Sequence, residues 1–144
     1  MRQAIVPFAF LALSLAALPG RADDQDVIDY RQHIMKTMGE QMGAISMIIQ
    51  NKAPRDNFAA HMKILAITAT QAKSAFEPKV PGGDVKPGVW TDWQDFSKRL
   101  DELVAATAEL AASAQHDSVA QVGAKMQSTL KCKGCHDTYR VPKK

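Results

Sequence analysis

Apolar residues return at three- and four-residue steps in four separate stretches, and no stretch sustains the two-residue alternation of a strand. In the first, Val27, Ile28, Ile34, Met35, Met38, Met42, Ile45 and Ile49 mark one face of a helix from about Val27 to Asn51, closed by Lys52–Pro54. The second, with Asp56 as its expected N-cap, carries Phe58, Met62, Leu65, Ile67 and Phe76 inward and ends at Glu77–Pro78. The third begins near Thr91 or Asp92 and turns Trp93, Phe96, Leu100, Leu103, Val104, Ala106, Leu110 and Ala111 to one side. A fourth follows His116–Ser118 and runs through Val119, Val122, Met126, Thr129 and Leu130 into a pair of cysteines. Between the second and third lies EPKVPGGDVKPGVW, whose three prolines and three glycines predict the one long loop. Short links at 52–55 and 114–117 favour antiparallel neighbours. The pattern therefore predicts an all-α fold, an antiparallel four-helix bundle.

One apolar run does not fit this bundle. Ala4–Leu18 follows the basic Arg2, breaks at Pro19–Gly20, and is succeeded by small Gly20 and Ala22 and then by acidic Asp23–Asp24. That layout is a secretory leader, too short to cross a bilayer comfortably. Residues 1–22 are expected to be a cleaved signal peptide, with an uncleaved anchor as the alternative, and residues 23–144 one domain. Removing Arg2 and Arg21 takes the formal charge from +3 to +1. A chain so near neutrality gives no reason to expect nucleic acid as a partner. No second apolar run could span a membrane, so the mature protein is expected to be soluble. Its C-terminal tail, with Lys131, Lys133, Arg140, Lys143 and Lys144, is locally basic: a solvated end, or the frame of a docking surface for an acidic partner.

The tail also holds the only two cysteines, in TLKCKGCHDTYR. Cys132 and Cys135 are too close to staple distant parts of a fold, so local chemistry has to explain them. A redox disulfide wants its pair at a helix start in a βαβ setting, which this all-α pattern lacks. A zinc site wants four ligands; two cysteines and His136 offer three, and adjacent residues 135 and 136 rarely reach one ion together. Covalent haem uses every residue of the motif: both sulfurs bond to the porphyrin edge, and His136 reaches the iron. Export agrees with this reading, because c-type haem is attached outside the bacterial cytoplasm.

CKGCHDTYR at the end of a four-helix pattern, with DYRQHIMKTMGEQMGAI on the first helix, resembles the class II cytochromes c, the cytochrome c′ family. The likeness covers essentially the whole mature chain. It implies one haem c held by Cys132 and Cys135, with His136 as the proximal iron ligand and Arg140 near the haem. Aligning Tyr30-Arg31-Gln32 with the first-helix motif brings Met35 to the distal position. In the low-spin c-556 branch a methionine there ligates iron, which implies single-electron transfer with periplasmic redox partner proteins. In cytochromes c′ proper the distal side chain only blocks the face, and five-coordinate iron binds NO or CO. Homodimers through the first two helices are also implied.

The remaining candidates read as structure. Met38 and Met42 share the Met35 stripe and are expected to pack the core. His33, two residues from Met35, and His61 and His116 on polar segments are expected at the surface. Trp90 and Trp93 should anchor the long loop. Small residues (Gly43, Ala44, Ala66, Ala69, Ala105, Ala106, Ala124) should face inward, and Gly123 should ease either porphyrin or helix approach. No acid, base or nucleophile constellation suggests an enzyme. A Met-rich metal-handling bundle, with copper as the metal, is the weakest alternative.

Overall fold

The computed structural model describes residues 23–142, so the leader expected at 1–22, Lys143 and Lys144 lie outside the described residues. Helix α1 spans Asp24–Ile49. It starts behind Asp23, whose carboxylate accepts from the Asp26 N–H at 2.8 Å while the Asp26 carboxylate accepts from the Asp23 N–H at 3.1 Å. This reciprocal cap, with acid at the positive end of the helix dipole, fixes the first turn. The other end closes when Asn51 takes a positive φ of 58°. The Lys52 and Asn51 N–H groups then donate back to the Met47 and Ile48 carbonyls at 2.8 and 3.0 Å. Orphan carbonyls of the last turn are thereby satisfied.

Helix α2, Phe58–Phe76, follows a 3₁₀ turn over Arg55–Asn57. The expected Asp56 cap is corrected: Pro54 starts that turn early enough to absorb Asp56, and α2 begins with no side-chain cap. A four-residue helix α3, Gly88–Thr91, precedes α4, Trp93–Ser113, from which the backbone of Asp92 separates it. Helix α5, Val119–Thr129, is capped by Ser118 and Gln121 reciprocally. The fourth stretch does not run unbroken into the cysteines. Leu130 swings to an extended ψ of 116°, α5 stops, and the motif opens its own helix α6, Cys132–Tyr139.

Helix α1 packs on α2 and α5, and α4 packs on α2 and α5, which closes the four-helix ring. No strand exists among the described residues beyond two isolated bridges, Gly82–Val85 and Val85–Arg140. Ile45, Met62, Ala69, Ala72 and Val122 are fully buried. Two expectations fail here. Ile67 is 56% exposed, and Thr68 and Ala69 take the inner face instead. The Thr68 hydroxyl is satisfied by the Ile64 carbonyl at 2.8 Å, so its burial leaves no orphan donor. Gly43, Ala105 and Ala124 also face solvent, while the buried small residues are Ala69, Ala72, Ala75 and Gly123. A Cβ on Gly123 would meet Ile49 Cδ1 at 3.3 Å, so this glycine serves the approach of α5 to α1.

Candidate functional site

Residues of α1, α4 and α6, with the end of α5, line a cleft of about 1150 Å³. That volume exceeds the roughly 300–1,000 Å³ of ordinary small-molecule sites. Its mouth is formed by α6, with Cys132 exposed and Cys135 half-buried. His136 is half-buried on the same cleft, and burial pushes its pKa below the usual histidine value, with the Arg140 charge adding to the effect. Neutral imidazole, the form that binds a metal, is thereby favoured. Burial pushes the Cys135 thiol up, against the thiolate that disulfide exchange needs. The helix start that sequence reasoning found missing does exist at Cys132, but without any sheet among the described residues. Among the described residues no three Cys, His, Asp or Glu side chains come together as a group that could hold a metal ion.

Met35 enters the cleft wall from α1, with Met38 and Met42 beside it. Met38 is 8% exposed and belongs to the core; Met35 and Met42 are half-buried. Arg140 is exposed at the rim. Its backbone N–H donates to the His136 carbonyl at 2.9 Å, and its side chain contributes charge rather than a fixed contact. His33 and His116 are exposed as expected, whereas His61 is half-buried with Nδ1 2.8 Å from Gln41 Oε1. Trp90 does anchor the loop, its indole N–H donating to the Phe76 carbonyl at 2.9 Å.

The residue that sequence reasoning used only for alignment proves central. Arg31 is 1% exposed on the cleft wall. Its Nη1 and Nη2 donate to the Val80 and Gly82 carbonyls of the long loop at 2.7 and 2.8 Å. The guanidinium carbon lies 5.3 Å from the Trp90 ring centroid and 5.8 Å from that of Phe76. Burial lowers its pKa, yet guanidinium stays charged in proteins. Its Nε has no partner, and among the described residues no carboxylate pairs with it. A buried cation with a spare donor on a large cleft calls for an anionic group from a ligand. Haem propionate meets that need, so the residues present fit the group the cysteine motif implies. The missed signal was periodic: Arg31 sits seven and fourteen residues before Met38 and Ile45, on the buried stripe.

The loop that Arg31 holds also reaches the motif helix. Gly82 and Gly83 take φ of 131° and 60°, which turns the chain back towards α6. There the Val141 N–H donates to the Asp84 carbonyl and the Lys86 N–H to the Tyr139 carbonyl, both at 2.9 Å. Tyr139 is buried on the cleft, and its hydroxyl donates to Asp95 Oδ2 at 2.5 Å. Arg99 Nε donates to the same oxygen at 2.6 Å. The two hydrogen bonds, Tyr139 first, hold the Asp95 carboxyl below its usual pKa. Burial pushes the Tyr139 phenol up.

Comparison with known proteins agrees with this geometry. The family described as Cytochrome C' matches residues 26–140. A cytochrome c' from Rubrivivax gelatinosus is 34% identical over 122 residues, covering 80% of this chain and 94% of its own. A cytochrome c-556 from Agrobacterium tumefaciens is 28% identical, covering 81% and 98%. Among solved structures, the nitric oxide complex of a variant cytochrome c prime from Alcaligenes xylosoxidans superposes with a TM-score of 0.74 at 25% identity, covering 85% and 100%.

Proposed function

The chain belongs to the cytochrome c′ family and carries one covalently attached haem c, and on that basis we propose that it is a periplasmic one-electron carrier. Haem c, when bound, supplies an iron couple that gains and loses one electron. In this reading Cys132 and Cys135 would form the two thioethers, and His136 and Met35 would hold the iron between them. One geometric fact supports it most: Met35 from α1 and His136 from α6 line the same cleft. Arg31 takes a propionate with its spare Nε, and Arg140 adds positive charge at the rim. With His136 and Met35 both committed to the iron, no open site for a substrate would remain there, and the chain would act as a carrier rather than an enzyme.

The leader pattern at residues 1–22 supports export and work in the periplasm. Among the described residues no helix is long and apolar enough to cross a membrane. Ile64 and Ile67 on α2 and Met47 on α1 are exposed apolar groups, which supports a homodimer through those two helices.

A second reading has its own support. One solved neighbour is a nitric oxide complex, and a relative at 34% identity is named cytochrome c'. These names favour a five-coordinate protein that binds NO or CO, with Met35 as a lid. The substitution Met35→Ala separates the two. A ligand methionine makes the parent low-spin and the variant high-spin; a lid leaves both high-spin.

A further inference from the structure

Helix α6 carries His136 on very little packing. It has eight residues, and Tyr139 alone among them is buried. Cys132, Lys133, Gly134, Asp137 and Thr138 are all exposed. Tyr139 follows His136 by three residues, so the two side chains share one side of the helix, and any rotation of α6 about its axis moves both. What holds Tyr139 therefore holds the direction of the imidazole.

Three contacts from α4 fix the tyrosine. Its ring stands edge-on to Phe96 with centroids 5.0 Å apart. Its hydroxyl reaches Asp95 Oδ2 at 2.5 Å, with Asp92 Oδ2 a distant second at 3.4 Å. Arg99 binds the same Asp95 oxygen, and its guanidinium carbon lies 5.6 Å from the Tyr139 ring centroid. The backbone pairings with Lys86 and Asp84 pin the chain where it leaves the helix. Asp95 makes by far the shorter of the two hydrogen bonds at the far end of the tyrosine, where a small displacement turns α6 most.

We propose that Asp95 is a positioning residue for His136: acting through the Tyr139 hydroxyl, it sets the orientation of the imidazole in the cleft, and Arg99 holds the Asp95 carboxylate in place. The proposal rests on the reading of His136 as the axial ligand. A ring edge contact alone leaves Tyr139 free to slide along Phe96, whereas a charge-assisted hydrogen bond at its tip is directional. Imidazole orientation and bond strength in turn tune the metal couple.

The test compares holoprotein parent, Asp95→Ala, Asp95→Asn, Tyr139→Phe and the Asp95→Ala/Tyr139→Phe double variant. At a fixed electrode potential, the oxidised-to-reduced ratio should move about two- to tenfold in each alanine or phenylalanine variant, the equivalent of one net hydrogen bond. Both shifts should have the same sign, and the double variant should move no further than the larger single. Asp95→Asn, which keeps an acceptor of the same shape, should restore part of the shift; it also serves if Asp95→Ala fails to fold. Unchanged ratios and unchanged paramagnetic resonance spectra, with only the melting temperature lowered, would make Asp95 a packing residue and overturn the proposal. The parent's iron-shifted imidazole resonances decide separately whether His136 is the ligand. Their absence removes the underlying reading before any variant is compared.

Discussion

Replacing Arg31 with methionine keeps roughly the length of the side chain and removes its charge. Two hydrogen bonds from an ionised donor disappear, at 2.7 and 2.8 Å, to carbonyls that stay behind in the loop. Such bonds contribute about 1.5–3 kcal/mol each, so the gross loss is about 3–6 kcal/mol. Against this stands the relief of no longer burying a guanidinium that is 1% exposed, which recovers several kcal/mol. The relief is incomplete, because the Val80 and Gly82 carbonyls are left without partners and a propionate held by Nε would lose its counter-ion. The expected net loss is about 2–4 kcal/mol in the holoprotein. Denaturant unfolding followed by helical circular dichroism and by the Soret band gives this value directly. Arg31→Lys should recover only part of it, since an ammonium cannot span two carbonyls and a third acceptor as a planar fork does. A loss within about 0.5 kcal/mol for Arg31→Met, typical of an uninvolved surface position, would refute the role assigned to this residue.

Two further outcomes follow from the cleft. Met38→Ala should cost about 2–5 kcal/mol in stability, as a buried core residue does, and leave the spin state of the parent unchanged; a spin-state change would move the ligand role from Met35 to Met38. The double change Cys132→Ala with Cys135→Ala should abolish haem staining after denaturing electrophoresis and leave a poorly folded chain with a large empty cleft. A stable, fully helical product would show that the cofactor is no part of the core.

The helices were legible because burial repeats locally: the stripe through Met38 and Ile45 needs no knowledge of distant chain, whereas the equally local Ser118–Gln121 cap was missed. The cysteine motif was legible for the same reason, since Cys132, Cys135 and His136 are neighbours. Pairings across the fold were not. Arg31 bonds to backbone carbonyls 49 and 51 residues away, and a carbonyl has no sequence signature. Tyr139 and Asp95 meet 44 residues apart, each in a segment that by itself reads as polar helix surface. The break at Leu130 was hidden because neither glycine nor proline marks it; the residue simply takes an extended conformation. Ile67 misled through composition, being an apolar residue on an outward face where exposure carries only a modest cost.

The most direct measurement is the absorption spectrum of the reduced holoprotein at neutral pH, recorded with and without carbon monoxide. If Met35 and His136 hold the iron between them, the spectrum is low-spin and carbon monoxide leaves it unchanged. A high-spin spectrum that shifts at once on adding carbon monoxide would contradict ligation by Met35 and make the protein a gas-binding cytochrome c′.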